Sequence, residues 1–373
     1  MHLEIKSCCS TRTAILLFSW FLVNRQDLSL GNISQTDITW LGLGTTAGYL
    51  AQALILLPVV IKSGVKLTLR FDWHNSQIIK SFRLASWSFL YAMISQVSYL
   101  VTVSIATSAA VKTQVLGDST GVGFTPYSNA YLILILPHSI ITVSVVTALL
   151  PRLSNYVIDK KHDELTNSLV KAIRLIGIFT VPAALMFLAF GQLVANTLYF
   201  GISNADANYL GLTLSAFALG LIPVSINLVL LRGLNAFENL KSQVIGNLIM
   251  NLISIALSFL VASWFEPKWV TVGLAGIFTI HYFIGAGISF YLIRRHQVRL
   301  PLLSISLYYL RLILIFTLVL APIWLLRGEI PGGNLISLLL VTSVSAVFYL
   351  LIAKLLKISE VTDLLKVIWS RKV

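Results

Sequence analysis

The sequence predicts an all-α polytopic membrane protein, and three observations lead to this class. Nine long apolar stretches follow one another between residues 40 and 356, and each is long enough to supply the roughly 20 apolar residues that cross a bilayer. Of the 373 residues, 57% are hydrophobic and only 11% are charged, whereas a soluble domain carries about 25% charged residues. The basic residues also lie almost entirely on alternate connections, as in multi-pass proteins.

The nine predicted spans contain no Asp or Glu, so we expect no carboxylate ion site within the membrane. An apolar run at 13–23 precedes them. It is too short to cross alone, and because no small-residue cleavage site follows it, we expect the end of a partial first span rather than a signal peptide. The full spans are 40–61, 84–111, 127–150, 173–199, 209–231, 244–264, 269–293, 306–326 and 334–356.

The charge pattern predicts the orientation of the chain. All but four of the 27 basic residues fall on one set of alternate connections, which the positive-inside rule places in the cytoplasm together with the C-terminus. The net charge of +13 therefore belongs to membrane loops and does not indicate nucleic-acid binding. The four exceptions are Arg25, Lys112, Lys268 and Arg327.

Two basic connections have a pattern of their own. Residues 62–83 mix cations with aromatic side chains, which suits either a segment at the headgroup level or an ordinary loop with one anchoring Trp. Residues 152–174 predict a short amphipathic cytoplasmic helix that leads into the next span. Arg152, Arg174 and Arg232 mark the cytoplasmic border of their spans.

Proline interrupts several spans, and it is expected to kink them because it removes a backbone hydrogen bond. The candidate hinges are Pro137, Pro182 and Pro223. Kinks of this kind are compatible with moving parts in a membrane protein.

Polar side chains recur at helical spacing in some spans. One face of the span at 244–264 carries Asn247, Asn251, Ser254 and Ser258. A looser polar stripe around Ser95 lies along the earlier span at 84–111. Such residues either hold helices together or line an aqueous cavity. The cavity candidates are Asn129, His138, Asn227, Asn247 and Asn251.

His138 lies near the middle of its span, beside Pro137. An intramembrane His is a candidate for a proton relay or a ligand contact, although no carboxylate partner is visible. No catalytic motif is present, and Cys8 and Cys9 are too few for a zinc site. We therefore expect neither an enzyme nor a bound metal or cofactor.

Three segments resemble the MurJ (MviN) family of lipid II flippases. Residues 127–154, YSNAYLILILPHSIITVSVVTALLPRLS, resemble the family's eighth span, with its central Pro and its LLPRLS-like border. Residues 169–201 are similar to the following span, and residues 230–259 to the next cytoplasmic turn and helix. The uncharged pair Asn129 and Tyr131 is most similar to actinobacterial members.

This resemblance implies a fold of the multidrug, oligosaccharidyl-lipid and polysaccharide (MOP) exporter superfamily, in which two six-helix lobes surround a cavity and two extra helices follow. The spans would then be the family's sixth to fourteenth, with most of the first lobe absent. Residues 1–61 would be the remnant of that lobe, 62–83 an interfacial cytoplasmic loop, 84–293 the second lobe, and 294–373 the two extra helices and a cytoplasmic tail.

The resemblance also implies a function. We expect flipping of lipid II, the undecaprenyl-pyrophosphate-linked muropeptide, across the bacterial cytoplasmic membrane by alternating access. The expected partners are lipid II, membrane lipids and a first lobe from the same or a neighbouring gene. The alternatives are another polysaccharide-lipid or drug exporter of the superfamily, or a split or inactive membrane scaffold.

One departure from the family concerns the cavity. Members often carry an Arg beside an acidic residue in the helix that matches 127–150, and these positions are Leu132 and Tyr131 here. We therefore carry over no cationic cluster for the pyrophosphate. By the same resemblance, the last two spans form a groove for the lipid tail, although their composition suits plain lipid-facing helices equally well.

Overall fold

The computed structural model describes residues 76–117, 121–199, 201–326 and 334–356, together with Glu360 and scattered positions between 35 and 58. The chain divides into two compact units, Met1–Ile78 and Ile79–Val373, and everything below concerns the second. Predicted span 40–61, the run 13–23 and the loop as far as residue 75 lie largely or wholly outside the described residues.

The described part of the chain is helical and contains no strand, which confirms the predicted fold class. A π-helical turn, His138–Thr142, separates the second helix from the third. The helices of this part are α1 Ser76–Val115, α2 Phe124–Pro137, α3 Val143–Ile158, α4 His162–Leu198, α5 Asn204–Ala218, α6 Leu221–Ala236, α7 Leu240–Trp264, α8 Pro267–Arg295, α9 Leu302–Leu325 and α10 Asn334–Leu355.

Seven helices in the described ranges are long and apolar enough to cross a membrane. One of them, Phe124–Ile158, comprises α2, the π-turn and α3. An eighth crossing is formed if α5 and α6 count as one span bent by 44°. The last eight predicted spans therefore each have a counterpart, but the span predicted as continuous at 209–231 is broken.

The break between α5 and α6 has a local cause. Pro223 has no N–H to donate to the carbonyl of Leu219, and a helix accepts Pro easily only in its first turn. The chain accordingly ends α5 at Ala218 and starts α6 at Leu221. Gly220 fits the gap because a Cβ there would lie 2.9 Å from the Phe278 ring.

The connection at 152–174 also differs from the prediction of a short separate helix. Its first half continues α3 to Ile158, and its second half opens the 37-residue helix α4. Asp163 and Glu164 lie in the first turn of α4, where negative charge stabilises a helix. Lys160, with a φ of 56°, makes the turn between the two helices. In the loop predicted at 62–83, residues 76–83 are likewise helical and begin α1.

The largest core surrounds α4. Leu165, Leu169, Ile173 and Ile176 are fully buried along one face of this helix, against α6 and α9. Tyr309 of α9 donates a hydrogen bond to the carbonyl of Ile173 at 2.8 Å. A second core gathers α2, α5 and α6 around the buried Phe217. Together these cores hold α2 and α8 in place as walls of a polar cavity.

Candidate functional site

A polar cavity of about 400 Å³ lies among α1, α2, α7 and α8. None of the residues that line it carries a carboxylate, ammonium or guanidinium group. Its walls combine amides, hydroxyls and one imidazole with tyrosine rings. The polar lining residues other than tyrosines are Ser95, Gln96, Ser98, Thr102, Asn247, Asn251, Ser254, Ser258 and His281.

The α7 wall arises from the spacing predicted to place its polar residues on one face. Asn247 donates from Nδ2 to the carbonyl of Tyr91 at 3.0 Å and to Ser95 Oγ at 3.1 Å, both on α1. Asn251 donates to Asn247 Oδ1 at 2.9 Å. Asn247 therefore joins α7 to α1 and lines the cavity at once, so both interpretations of the polar stripe apply to the same residue.

His281 of α8 forms the opposite side of the cavity. Its Nδ1 lies 2.7 Å from Ser254 Oγ of α7. Since Ser254 also lines the cavity, the pair presents an imidazole and a hydroxyl to the same space. The contact orients the ring and joins α8 to α7.

Aromatic rings form the third wall. Tyr131 packs edge-on against Phe278 with ring centroids 5.7 Å apart, and Phe278 does the same with Tyr282 at 4.7 Å. Tyr127 contacts Phe217 of the second core at 4.9 Å. Such edge-to-face pairs stabilise one another and hold the rings rigidly, so this wall has a fixed shape.

The chemistry of this cavity follows from its lining. Amides and hydroxyls both donate and accept hydrogen bonds, so they match groups that do the same, such as sugar hydroxyls and peptide amides. The absence of cationic groups from the lining argues against a grip on a pyrophosphate. No cluster of metal-ligating side chains occurs among the described residues.

The other three cavity candidates lie elsewhere. Asn129 is half-buried on α2 and does not line the cavity. His138 is buried, with Nδ1 2.9 Å from Ser225 Oγ of α6. Asn227 is also buried, and its Oδ1 accepts a hydrogen bond from Ser289 Oγ at 2.6 Å. His138 and Asn227 therefore connect helices rather than face the cavity.

Two of the predicted hinges come together. Pro137 immediately precedes the π-turn, and Pro223 follows the break between α5 and α6. Ser225, two residues beyond Pro223, accepts a hydrogen bond from Thr142 at 3.3 Å and contacts His138. The two irregular segments are thus joined at one hydroxyl group.

The third predicted hinge, Pro182, lies inside a continuous part of α4. Within this helix the non-helical dihedrals fall at Phe190, with φ −123° and ψ 24°. Ser215 of α5 places its hydroxyl 3.1 Å from the carbonyl of Phe187 and 3.2 Å from that of Leu188. A side chain that bonds to helix carbonyls in this way is a known cause of kinks.

The border arginines occupy different settings. Arg152 is exposed and Arg232 is half-buried. Arg174 lines a second cavity at the end of the bundle where α4 begins and α8 ends, and it pairs with Glu360 at 3.4 Å. We call this end, which carries Arg152, Arg232 and Arg294, the basic end.

An apolar groove of about 420 Å³ lies between α4, α9 and α10. Phe179, Met186, Phe316 and Leu350 contribute to its walls. Tyr349 fixes one side by donating a hydrogen bond to the carbonyl of Ile178 at 3.1 Å. The last two spans therefore border an apolar groove together with α4. That this groove holds a lipid tail stays a prediction.

Part of the polar cavity is not predictable from the residues singled out in the sequence. His281 was not identified, although an imidazole in the middle of a predicted span was a signal of the same kind as His138. The tyrosines gave no signal, because aromatic residues in membrane spans usually pack or anchor. Only the fold shows that Tyr91, Tyr127, Tyr131 and Tyr282 face one space.

Comparisons with known proteins relate the chain to one family. The sequence profile of the family described as Lipid II flippase MurJ matches residues 15–356. A probable lipid II flippase MurJ of Thermotoga maritima is 26% identical over 335 residues, which cover 88% of this chain and 63% of that protein. Another, of Vibrio cholerae serotype O1, is 24% identical over 263 residues, covering 70% of this chain and 46% of that protein.

The chain spans about half the length of these curated relatives. A solved structure titled "Lipid II flippase MurJ, inward closed conformation" matches with a TM-score of 0.61 and 20% identity. The match covers 95% of this chain and 68% of that one. The two chains therefore share their fold.

Proposed function

Because the chain belongs to the lipid II flippase MurJ family, we propose that it takes part in moving lipid II across the bacterial cytoplasmic membrane by alternating access. The observation that carries the proposal is an uncharged polar cavity among α1, α2, α7 and α8, in a bundle that also has an apolar groove. A lipid with a large polar headgroup needs both environments. We infer a transport role without a catalytic step.

The polar cavity lowers the main energetic cost of transport, which is the transfer of a polar headgroup into the membrane interior. Moving an unpaired polar group from water into an apolar medium costs roughly 2–7 kcal/mol, and an isolated charge costs far more. Asn251 Oδ1 and the side chains of Gln96 and Ser98, which make no hydrogen bond within the described part of the bundle, offer replacement hydrogen bonds within the depth of the membrane. Passage beside these groups avoids most of that cost.

We propose that this wall of the passage contacts the neutral sugars and the peptide amides of the headgroup rather than its pyrophosphate. Tyr131 lines the cavity and Leu132 is exposed beside it, at the positions where family members often carry an acidic residue and an Arg. The pyrophosphate is then bound by residues outside this cavity, and a first lobe from the same or a neighbouring gene is the proposed source.

The apolar groove is the proposed place for the polyprenyl tail. Its walls are almost wholly hydrocarbon, with Thr342 and Ser345 as minor polar contributions. A tail that stays in this groove remains in an apolar medium while the headgroup crosses, so it adds no desolvation cost.

We further propose that the basic end of the bundle, with the C-terminus, faces the cytoplasm, as the positive-inside rule requires. A headgroup with negative charge that moves outward from a negative interior gains about 2.3 kcal/mol per charge for each 100 mV. Since no carboxylate lines the described cavity, the membrane potential is the proposed driving force.

A lipid II accessibility assay in the host bacterium tests the function. Depletion of this chain should lower the amount of lipid II exposed at the outer face, and the wild-type chain should restore it. Asn251→Leu should fail to restore it, because it removes an amide from the cavity while its hydrogen bonds stay within its own helix. Asn129→Leu, which removes a half-buried amide outside the cavity, is the matched control.

Unchanged exposure of lipid II after depletion would contradict the flippase proposal and favour a scaffold role. If Asn251→Leu restores lipid II exposure to the level reached by Asn129→Leu, the chain still takes part in transport, but the polar cavity has no role in it. Collapsing the membrane potential in the same assay tests the driving force, and undiminished exposure would exclude voltage.

A further inference from the structure

A second cavity, of about 640 Å³, lies at the basic end between α4, α9 and the two described residues beyond α10, Leu356 and Glu360. It is separate from the polar cavity and from the apolar groove. Its polar part is formed by Arg174, Ser304, Tyr308, Arg311 and Glu360. The function proposed above assigns no role to it.

Arg174 is held in a fixed orientation in this cavity. Its Nη2 donates to Ser304 Oγ at 2.8 Å, and its Nη1 lies 3.4 Å from the Glu360 carboxylate. The guanidinium carbon lies 5.4 Å from the centre of the Tyr308 ring. Its buried Nε has no hydrogen-bond partner in the part of the chain that the structure describes. A preorganised guanidinium with donors to spare is suited to binding a phosphate group.

Arg311 supplies a second cation at an unusual depth. It lies nine residues into α9, which is about 13 Å along the helix axis. It is exposed, and no carboxylate among the described residues comes within ion-pair distance of it. An arginine within a spanning helix is costly unless it finds an anion or reaches the interface. An anion bound in this cavity would therefore pair with both Arg174 and Arg311.

The rest of the cavity wall is apolar and faces outward. Leu303, Leu307 and Leu314 lie on α9 beside the arginines, and each is exposed. A free phosphate ion would gain nothing from these side chains. A phospholipid, by contrast, would place its acyl chains along them and its phosphate between the two guanidinium groups.

We propose that this cavity binds an anionic phospholipid of the membrane leaflet at the basic end, with the phosphodiester of the lipid between Arg174 and Arg311. Among the described lining residues, two arginines and one glutamate carry a formal charge of +1, which a single phosphodiester balances. Glu360 competes with the phosphate for Arg174, because both are anionic acceptors for the same guanidinium. The bound lipid bridges α4 and α9 and stabilises their packing.

Thermal unfolding of the purified full chain in a neutral detergent tests the proposal. Dioleoyl phosphatidylglycerol should raise the unfolding temperature in a saturable manner, since a ligand of the native state stabilises it. Dioleoyl phosphatidylcholine, which has the same acyl chains and no net charge, should have little effect. Equal stabilisation by the two lipids would overturn the proposal.

Single substitutions locate the effect. Arg311→Gln should weaken the apparent affinity for phosphatidylglycerol by about tenfold or more, the factor that corresponds to about 1.4 kcal/mol. Because Arg311 is exposed, the unliganded variant should unfold near the wild-type temperature. Lys171→Gln, one turn from Arg174 on α4 but outside the cavity, should bind as the wild type does. Unchanged affinity in Arg311→Gln would refute the assignment.

Glu360→Gln distinguishes lipid binding from a purely structural ion pair. It should strengthen phosphatidylglycerol binding by removing the competing carboxylate, whereas weaker binding would contradict the model of competition. Two other probes set the source of the phosphate. These probes are inorganic phosphate and undecaprenyl pyrophosphate. If either one raises the unfolding temperature more than phosphatidylglycerol does, and if this effect depends on Arg311, the ligand is not a phospholipid.

Discussion

Replacement of Asn247 by Ala should loosen α1 from the bundle. The amide of Asn247 makes three hydrogen bonds: two to α1, at Tyr91 and Ser95, and one from Asn251. Hydrogen bonds between membrane helices contribute about 0.6 kcal/mol each on average. The three bonds together amount to about 2 kcal/mol, of which about 1.2 kcal/mol holds α1 to α7.

The effect should be concentrated in the first half of α1, near Tyr91 and Ser95, because the buried core contacts of this helix, at Ala106 and Ala109, lie toward its other end. Only 6% of its most apolar 18-residue window is buried. A loss of about 1.2 kcal/mol corresponds to an increase of about eightfold in local opening. Hydrogen exchange measured by mass spectrometry on the detergent-solubilised chain should therefore show faster exchange in peptides from residues 86–100, with little change in α4.

Asn129→Ala is the matched control for this experiment. It removes an amide from α2 that makes no side-chain hydrogen bond to a described residue, so its exchange pattern should equal that of the wild type. If Asn247→Ala exchanges like the wild type throughout α1, the hydrogen bonds do not hold this helix. If exchange rises uniformly over α4 and α9 as well, the substitution destabilises the whole bundle, and the assignment to α1 is wrong.

Three further substitutions test other parts of the structure. Ser225→Ala should lower the free energy of unfolding by about 1 kcal/mol, because it removes the contacts of His138 and Thr142; an unchanged value in denaturant titration would contradict their role. Gly211→Ala should prevent folding, because a Cβ at this position would lie 2.5 Å from the backbone nitrogen of Gln192. The control Gly276→Ala, whose Cβ meets nothing within 4 Å, should express normally. Equal yields of folded protein from the two variants would exclude close packing of α4 against α5. His296, beyond the last turn of α8, contacts Asn239 at 2.9 Å, and burial lowers its pKa below the ordinary value of 6.5. The native state therefore binds this proton less readily than the unfolded state, and stability should fall as the pH drops through the ordinary histidine range. His296→Gln should reduce this dependence in thermal unfolding between pH 7.5 and pH 5.5, and an identical dependence in the two proteins would refute it.

Much of the architecture was predictable because a membrane imposes strong rules on sequence. Length and apolar composition identified the spans that α1 to α10 form, since an exposed backbone polar group is too costly in hydrocarbon. The limits of the prediction appear at residues 152–174, where the sequence predicted a short separate helix. The structure instead starts α4 at His162 and continues it into the next span. A long helix that extends beyond the membrane looks the same in sequence as two helices joined end to end.

The polar site was predictable only on α7. Asn247 and Asn251 share a face by helical periodicity, and this face lines the cavity. His138 has the same intramembrane character, but its side chain contacts Ser225, because the π-turn after Pro137 sets its direction. The placement of His281 opposite Ser254 depends on how α7 and α8 pack, and nothing in the local sequence of either helix encodes that pairing.

For the proposed transport function, the thin attachment of the first half of α1 has a consequence for substrates of different sizes. Two walls of the polar cavity, α2 and α8, are packed into buried cores, whereas the first half of α1 is joined to the bundle by the hydrogen bonds of Asn247 and only its second half enters a core, through Ala106 and Ala109. A bulky cargo would then be admitted by displacing this first half of α1 while the remaining architecture kept its shape. Tolerance for variation in the peptide part of a cargo would depend on the strength of the attachment at Asn247, which a change of that one side chain could adjust.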